Sequence, residues 1–113
     1  MPDIAITIVR RGQNSLKPKE DSHTRGTRTK VPERSTVQFN IEDGVTGTTI
    51  TFTGDSPFGP KHEVSYGVPL AVTVPVHPSD PRRNIYKYRC HGKAGNQDLD
   101  SEDGGGEVEI VHS

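Results

Sequence analysis

Few residues in this chain have chemistry to offer: one cysteine, Cys90, followed directly by His91, and a second candidate imidazole at His62. Thiolate sulfur and imidazole nitrogen are the ligands from which copper and zinc sites are made. A Cys–His pair is also the arrangement of a thiol nucleophile with its base. Local spacing limits what the two neighbours can do. Tyr86, Tyr88 and Cys90 alternate with Lys87, Arg89 and His91, and successive side chains of an extended strand point to opposite faces. The thiol is expected inward with the two rings, and His91 outward. They can converge only where the strand has ended, which Gly92 permits. A core cysteine behaves as a small hydrophobe whose pKa rises on burial, leaving it inert. A structural Cys90 is the first expectation; metal ligand, redox-sensitive thiol and nucleophile are the alternatives.

His62 opens a Val64/Tyr66 alternation and shares its face, which predicts a place at the rim of the core. Satisfaction by a backbone carbonyl is its ordinary role there, and metal ligation the alternative. His23, His77 and His112 are expected to be solvated. The carboxylates make poor catalytic candidates. Glu42-Asp43 and the Asp98–Asp103 cluster fall in or beside turn-rich stretches, whereas a glycosidase pair needs a defined separation across a cleft. The cluster has the oxygen-rich composition of a calcium site without the fixed glycine and terminal glutamate of the helix–loop–helix calcium loop. Gly104-Gly105-Gly106 lacks the following Lys and Ser/Thr of a phosphate loop.

The elements that must position these residues are strands. Ile4, Ile6 and Ile8 alternate, as do Val37, Phe39 and Ile41, then Ile50 and Phe52 among threonines. Val64/Tyr66, Leu70–Val76, Tyr86–Cys90 and Val108/Ile110 complete seven candidate strands. No window has helical spacing. Asp43-Gly44, Thr53-Gly54-Asp55-Ser56-Pro57, Gly59-Pro60 and Ser79-Asp80-Pro81 are turn chemistry. Pro75 predicts that the Leu70–Val76 strand is an edge, or is broken there. The two remaining segments, 12–36 and 96–106, read as a long basic loop and an acidic glycine-rich loop. The first is long enough to conceal a short strand around Thr29–Val31.

Composition bounds the rest. The 113 residues are 28% hydrophobic without their 12 glycines, and adding the glycines still leaves them short of the about 45–50%, glycine included, of ordinary globular chains. This is one domain's length, expected to be a single β-sandwich over 1–113. A single cysteine excludes an internal disulfide, and no apolar run is long enough to span a membrane. The amino-terminal stretch lacks the pattern of a signal peptide, so a soluble, cytoplasmic protein is expected. Net charge is −1, but unevenly placed. Arg10 to Arg34 holds eight Lys or Arg against three acidic residues, and Asp98 to Glu109 holds six acidic residues and no basic one. Solvated charge is the simplest reading, and docking of an acidic partner the next. Nucleic acid is disfavoured, because no aromatic is interleaved with the basic run for bases to stack on.

Four segments together resemble a cupredoxin: Thr36-Val37-Gln38-Phe39-Asn40; Lys61-His62-Glu63-Val64-Ser65-Tyr66; Tyr86-Lys87-Tyr88-Arg89-Cys90-His91-Gly92; and Gly106-Glu107-Val108-Glu109-Ile110-Val111. The resemblance implies an all-β, Greek-key β-sandwich, with an immunoglobulin-like sandwich as the alternative. In that family a histidine opening one strand, a cysteine ending the penultimate strand, and a histidine and usually a methionine from the following loop hold copper. His62 and Cys90 match the first two positions. The second histidine is displaced, because His91 adjoins the cysteine and Gly92, Lys93 and Ala94 supply no imidazole. The only methionine is Met1. Two matching ligands fall short of the roughly three or four that copper or zinc takes. The expectation is a non-enzymatic binding or assembly module without a cofactor, meeting a protein partner or a second copy through its loops or an edge strand, with no role at a membrane. The alternative is a copper-binding or electron-transfer protein using His62, Cys90 and His91.

Overall fold

The computed structural model describes residues 3–12, 14–60, 62–101 and 105–112. They form an all-β structure of eleven strands in one mixed, non-closed hydrogen-bonded sheet. The strands are β1 (Ile4–Arg11), β2 (Ser15–Pro18), β3 (Thr24–Arg25), β4 (Arg28–Pro32), β5 (Thr36–Ile41) and β6 (Thr46–Phe52). After them come β7 (Glu63–Val64), β8 (Pro69–Ala71), β9 (Ile85–Ala94), β10 (Gln97–Ser101) and β11 (Gly106–Val111). The order is β3-β4-β11-β9-β10-β2-β1-β5-β8, with β6 on the other edge of β9 and β7 outside β6. Two pairs are parallel between distant segments, β1 with β5 and β4 with β11; β10 with β2 is also parallel. No helix among the described residues is long and apolar enough to cross a membrane.

Period-two patterning accounts for most of this. Ile4, Ile6 and Ile8 of β1 are buried, as are Val37 and Phe39 of β5, Ile50 and Phe52 of β6, and Val108 and Ile110 of β11. The sheet doubles back on itself, so that Tyr88 of β9 meets a ring of β5, a strand not bonded to it, as well as the ring of Phe52, its register partner on β6. Tyr88 of β9 lies 5.3 Å from Phe39 of β5 and 5.4 Å from Phe52 of β6, all in edge-on or tilted contact. Phe58 closes the group at 6.2 Å from Phe39 and 5.9 Å from Phe52.

The structure departs from the sequence reading in four places. The basic segment 12–36 is not a plain loop: it carries β2, β3 and β4, and β4 contains the strand anticipated around Thr29–Val31. The acidic segment 96–106 contains β10, paired with β9 through a two-residue turn at Gly95-Asn96. Gly95 takes φ +62° there, which glycine adopts without cost. Tyr66 does not extend the seventh strand, because β7 stops at Val64 and Tyr66 is exposed. The 70–76 strand is shorter than its alternation, stopping at Ala71 before Pro75 is reached, although β8 does lie at the end of the sheet, the edge position expected from the proline.

Gly106 makes room for the central ring. A Cβ there would stand 2.2 Å from Cζ of Tyr88 and 2.4 Å from its oxygen, both in a fully buried side chain. The Tyr88 hydroxyl has no hydrogen-bond partner among the described residues, and burial pushes its pKa well above the usual tyrosine range. Gly106→Ala is expected to cost about 3 kcal/mol through forced repacking, read from the urea midpoint. Tyr88→Phe, which removes only the unpaired hydroxyl, should leave that midpoint unchanged or raise it, by up to about 1 kcal/mol.

Candidate functional site

Cys90 sits on the inner face of β9, opposite Ile50 of β6 and only 4% exposed. Here β9 changes partner. Residues Ile85 to Tyr88 pair with β11, and His91 to Ala94 pair with β10. Ser101 bridges the gap: the Cys90 N–H donates to its hydroxyl oxygen at 2.6 Å, and Arg89 Nη2 donates to its carbonyl at 3.3 Å. Burial drives the Cys90 thiol up to a pKa of about 12, with the Ser101 hydroxyl and the Arg89 charge opposing the shift. Burial therefore favours the neutral thiol over the thiolate, the form that attacks electrophiles and binds metals.

His91 lies on the opposite face, exposed, with Nδ1 2.7 Å from Oδ1 of Asp100, its register partner on β10. Lys93 and Asp98 form a second, looser cross-strand pair at 3.9 Å on the same hairpin. Exposed pairs of this kind add about 0–1 kcal/mol. Their chief effect is to favour one register between β9 and β10. Because β9 runs on past Gly92 to Ala94, the convergence of Cys90 with His91 that a strand end would allow does not occur. Gly92 is itself buried in the strand, where a Cβ would press to 2.8 Å from the Thr48 hydroxyl.

His62 precedes β7 and is exposed, rather than at the rim of the core. Its Nδ1 contacts the Gly54 carbonyl, and its own carbonyl accepts the Phe52 N–H at 2.8 Å. This is the ordinary role that the sequence assigned to it. His62, Cys90 and His91 thus have three separate environments: a turn, the core and the outer face of a hairpin. No group of three or more His, Cys, Asp or Glu among the described residues could hold a metal ion.

The remaining candidates are accounted for locally. Glu42 accepts the Arg10 N–H at 2.7 Å. Asp98 and Asp100 are engaged by Lys93 and His91, while Glu102, Asp103 and Met1 lie outside the described residues. His112 is exposed near Glu33 at 3.6 Å, and His23 is exposed. His77 differs from its expected full solvation: it is half-buried and its backbone is held by Asn84. The hairpin that fixes Cys90 and His91 apart had a sequence signal, the Gly95-Asn96 pair that suits a two-residue turn. Compared with models of protein families, with curated proteins and with solved structures, the chain has no match.

A buried neutral thiol predicts a particular pH dependence. The folded pKa lies above that of the unfolded thiol, about 8.5, so the stabilisation is complete below that value. It is lost as pH rises toward the folded value of about 12. Above pH 9 the wild-type stability should fall more steeply than that of Cys90→Ala, the difference approaching about 1.4 kcal/mol per pH unit. Iodoacetamide should label Cys90 slowly at pH 8 in the folded protein and rapidly in denaturant. Fast labelling of the folded state would contradict the burial.

Proposed function

We propose that this chain is a non-catalytic binding or assembly module on a cupredoxin-like, Greek-key sandwich without a functional blue-copper site and without a cofactor. The likeness is supported by the placement of its residues. Tyr86, Tyr88 and Cys90 share the inner face of β9, a glycine opens β11, and His62 immediately precedes the strand beside β6. One observation carries the loss of copper. β9 continues through Cys90 and His91 into the β9–β10 hairpin, where the resemblance would put a ligand-bearing loop.

The binding half of the proposal draws on the open edges. Among the described residues β8 is bonded only to β5, and the stretch leading into it carries their two exposed large hydrophobic side chains, Tyr66 and Val68, 44% and 45% exposed. An unpaired edge beside apolar side chains suits strand addition by another polypeptide. A protein partner or a second copy of this chain fits that edge.

Cu(II) titration tests the metal half: purified protein should develop no intense visible thiolate-to-copper band. A stoichiometric blue species abolished in Cys90→Ser would overturn the reading and return His62, Cys90 and His91 to a copper site. Sedimentation across a range of protein concentrations distinguishes the occupants of the edge. A second copy gives a mass that rises with concentration and falls back to the monomer in Val68→Asp, whereas a separate protein partner leaves the chain monomeric.

A further inference from the structure

Between β8 and β9 the chain is irregular from Val72 to Asp80 and then makes one 3₁₀ turn, Pro81–Asn84. Asp80 caps the turn by accepting the Arg82 N–H at 3.2 Å, and Pro81, at its start, has no N–H to leave unpaired. Asn84 is 7% exposed and grips residue 77 twice. Its Oδ1 accepts the His77 N–H at 2.7 Å, and its Nδ2 donates to the His77 carbonyl at 3.1 Å. That buried amide fixes the loop against the turn. A cleft of about 600 Å³ opens beside them, and Arg82, Arg83, Lys87, Tyr86, His77 and Asp55 are among the residues lining it.

Charge in this cleft is not balanced from within. Arg28 and Glu107 also line it, but the Arg28 guanidinium pairs with Glu107 at 3.4 Å and with Glu109 at 4.0 Å. Glu107 faces Lys87 in register, yet its carboxylate is held by Arg28. Arg82, Arg83 and Lys87 form no ion pair among the described residues. Asp55 is the one other carboxylate of the lining, which leaves a local excess of two positive charges. Tyr86 is 9% exposed, and its hydroxyl has no hydrogen-bond partner among the described residues. Burial and then Asp55 raise its pKa, with Arg83 opposing, so it keeps its proton and can donate.

We propose that this cleft binds a phosphomonoester dianion, with Arg82, Arg83 and Lys87 supplying charge and Tyr86 a neutral O–H donor. Guanidinium forks match pairs of phosphate oxygens, and charge-assisted bonds of this type are about twice as strong as neutral ones. Three cations gathered on one braced cleft suit a compact double charge. An extended acidic peptide would be matched by cations strung along an edge. The cleft shares no residue with His62, Cys90 or His91, so its test is separate from the copper titration.

Phenyl phosphate titrated into the full chain at about pH 7.5, where a monoester carries nearly two charges, should bind with one-to-one stoichiometry. Arg83→Gln and Lys87→Gln should each weaken that binding about tenfold, with unchanged denaturation midpoints because both side chains are exposed. Arg25→Gln removes the same charge from a neighbouring groove and should leave affinity unaltered. Dimethyl phosphate, a singly charged diester, should bind at least about tenfold more weakly. Absence of saturable binding would overturn the proposal. So would equal losses in Arg25→Gln and Arg83→Gln, which would mean diffuse net charge. A diester binding as tightly as the monoester would overturn it as well, assigning the cleft to nucleic-acid backbone.

Discussion

β9 is hydrogen-bonded along one edge to β6 and along the other first to β11 and then to β10. The rest of the structure is arranged around that change of partner. β11 and β4 follow from its first half, while β10, β2, β1, β5 and β8 follow from its second. At the junction a backbone N–H would be left without a ladder partner, and an unpaired buried amide costs about 1–3 kcal/mol. The Ser101 hydroxyl takes the Cys90 N–H in its place. Tyr88 stands just before the junction, so its ring reaches Phe39 on the far arm of the sheet and holds the two arms face to face. The continuity needed for this pairing also keeps Cys90 and His91 on opposite faces.

Alternation made the inner strands readable before any coordinates. The isoleucines of β1, Val37 and Phe39 of β5, and the Tyr86–Tyr88–Cys90 face of β9 are buried as their spacing implies. The strands hidden in the basic segment were concealed by their own inward residues. Thr24 and Thr29 occupy core positions, 2% and 0% exposed, where their hydroxyls bond each other at 2.7 Å. Two threonines that satisfy one another are as buriable as valines, but in sequence they look polar. β10 was concealed for a different reason. Leu99 is its single apolar residue, set between Asp98 and Asp100, and one buried side chain makes no period. At the candidate site the inward thiol and outward imidazole were legible from alternation. The exposure of His62 was not, since it depends on β7 being only two residues long. The cleft around Arg82 and Arg83 draws its walls from four separate segments, around residues 28, 53–55, 77–87 and 107, and no local spacing announces such a convergence.

The uneven charge of the sequence is partly resolved by the parallel pairing of β4 with β11. Arg28 comes to lie beside Glu107 and Glu109, and Lys30 opposite Glu109. The net energy of such exposed pairs is small. Their consequence is positional: the carboxylate of Glu107 is drawn to Arg28, and Arg82, Arg83 and Lys87 are left without an ion-pair partner among the described residues.

That same parallel pair joins residues 79 positions apart, which sets an order of events on the ribosome. β4 leaves the exit tunnel long before β11 has been made, so one of its hydrogen-bonding edges must stay open during synthesis. An open strand edge is a template for any neighbouring nascent chain in an extended state. Arg28 and Lys30 alternate along β4 with the inward Thr29 and Val31, and identical chains on one polysome would meet at this edge with like charges opposed. The lysine and arginine of β4 thus protect the strand until Glu107 and Glu109 arrive to neutralise them.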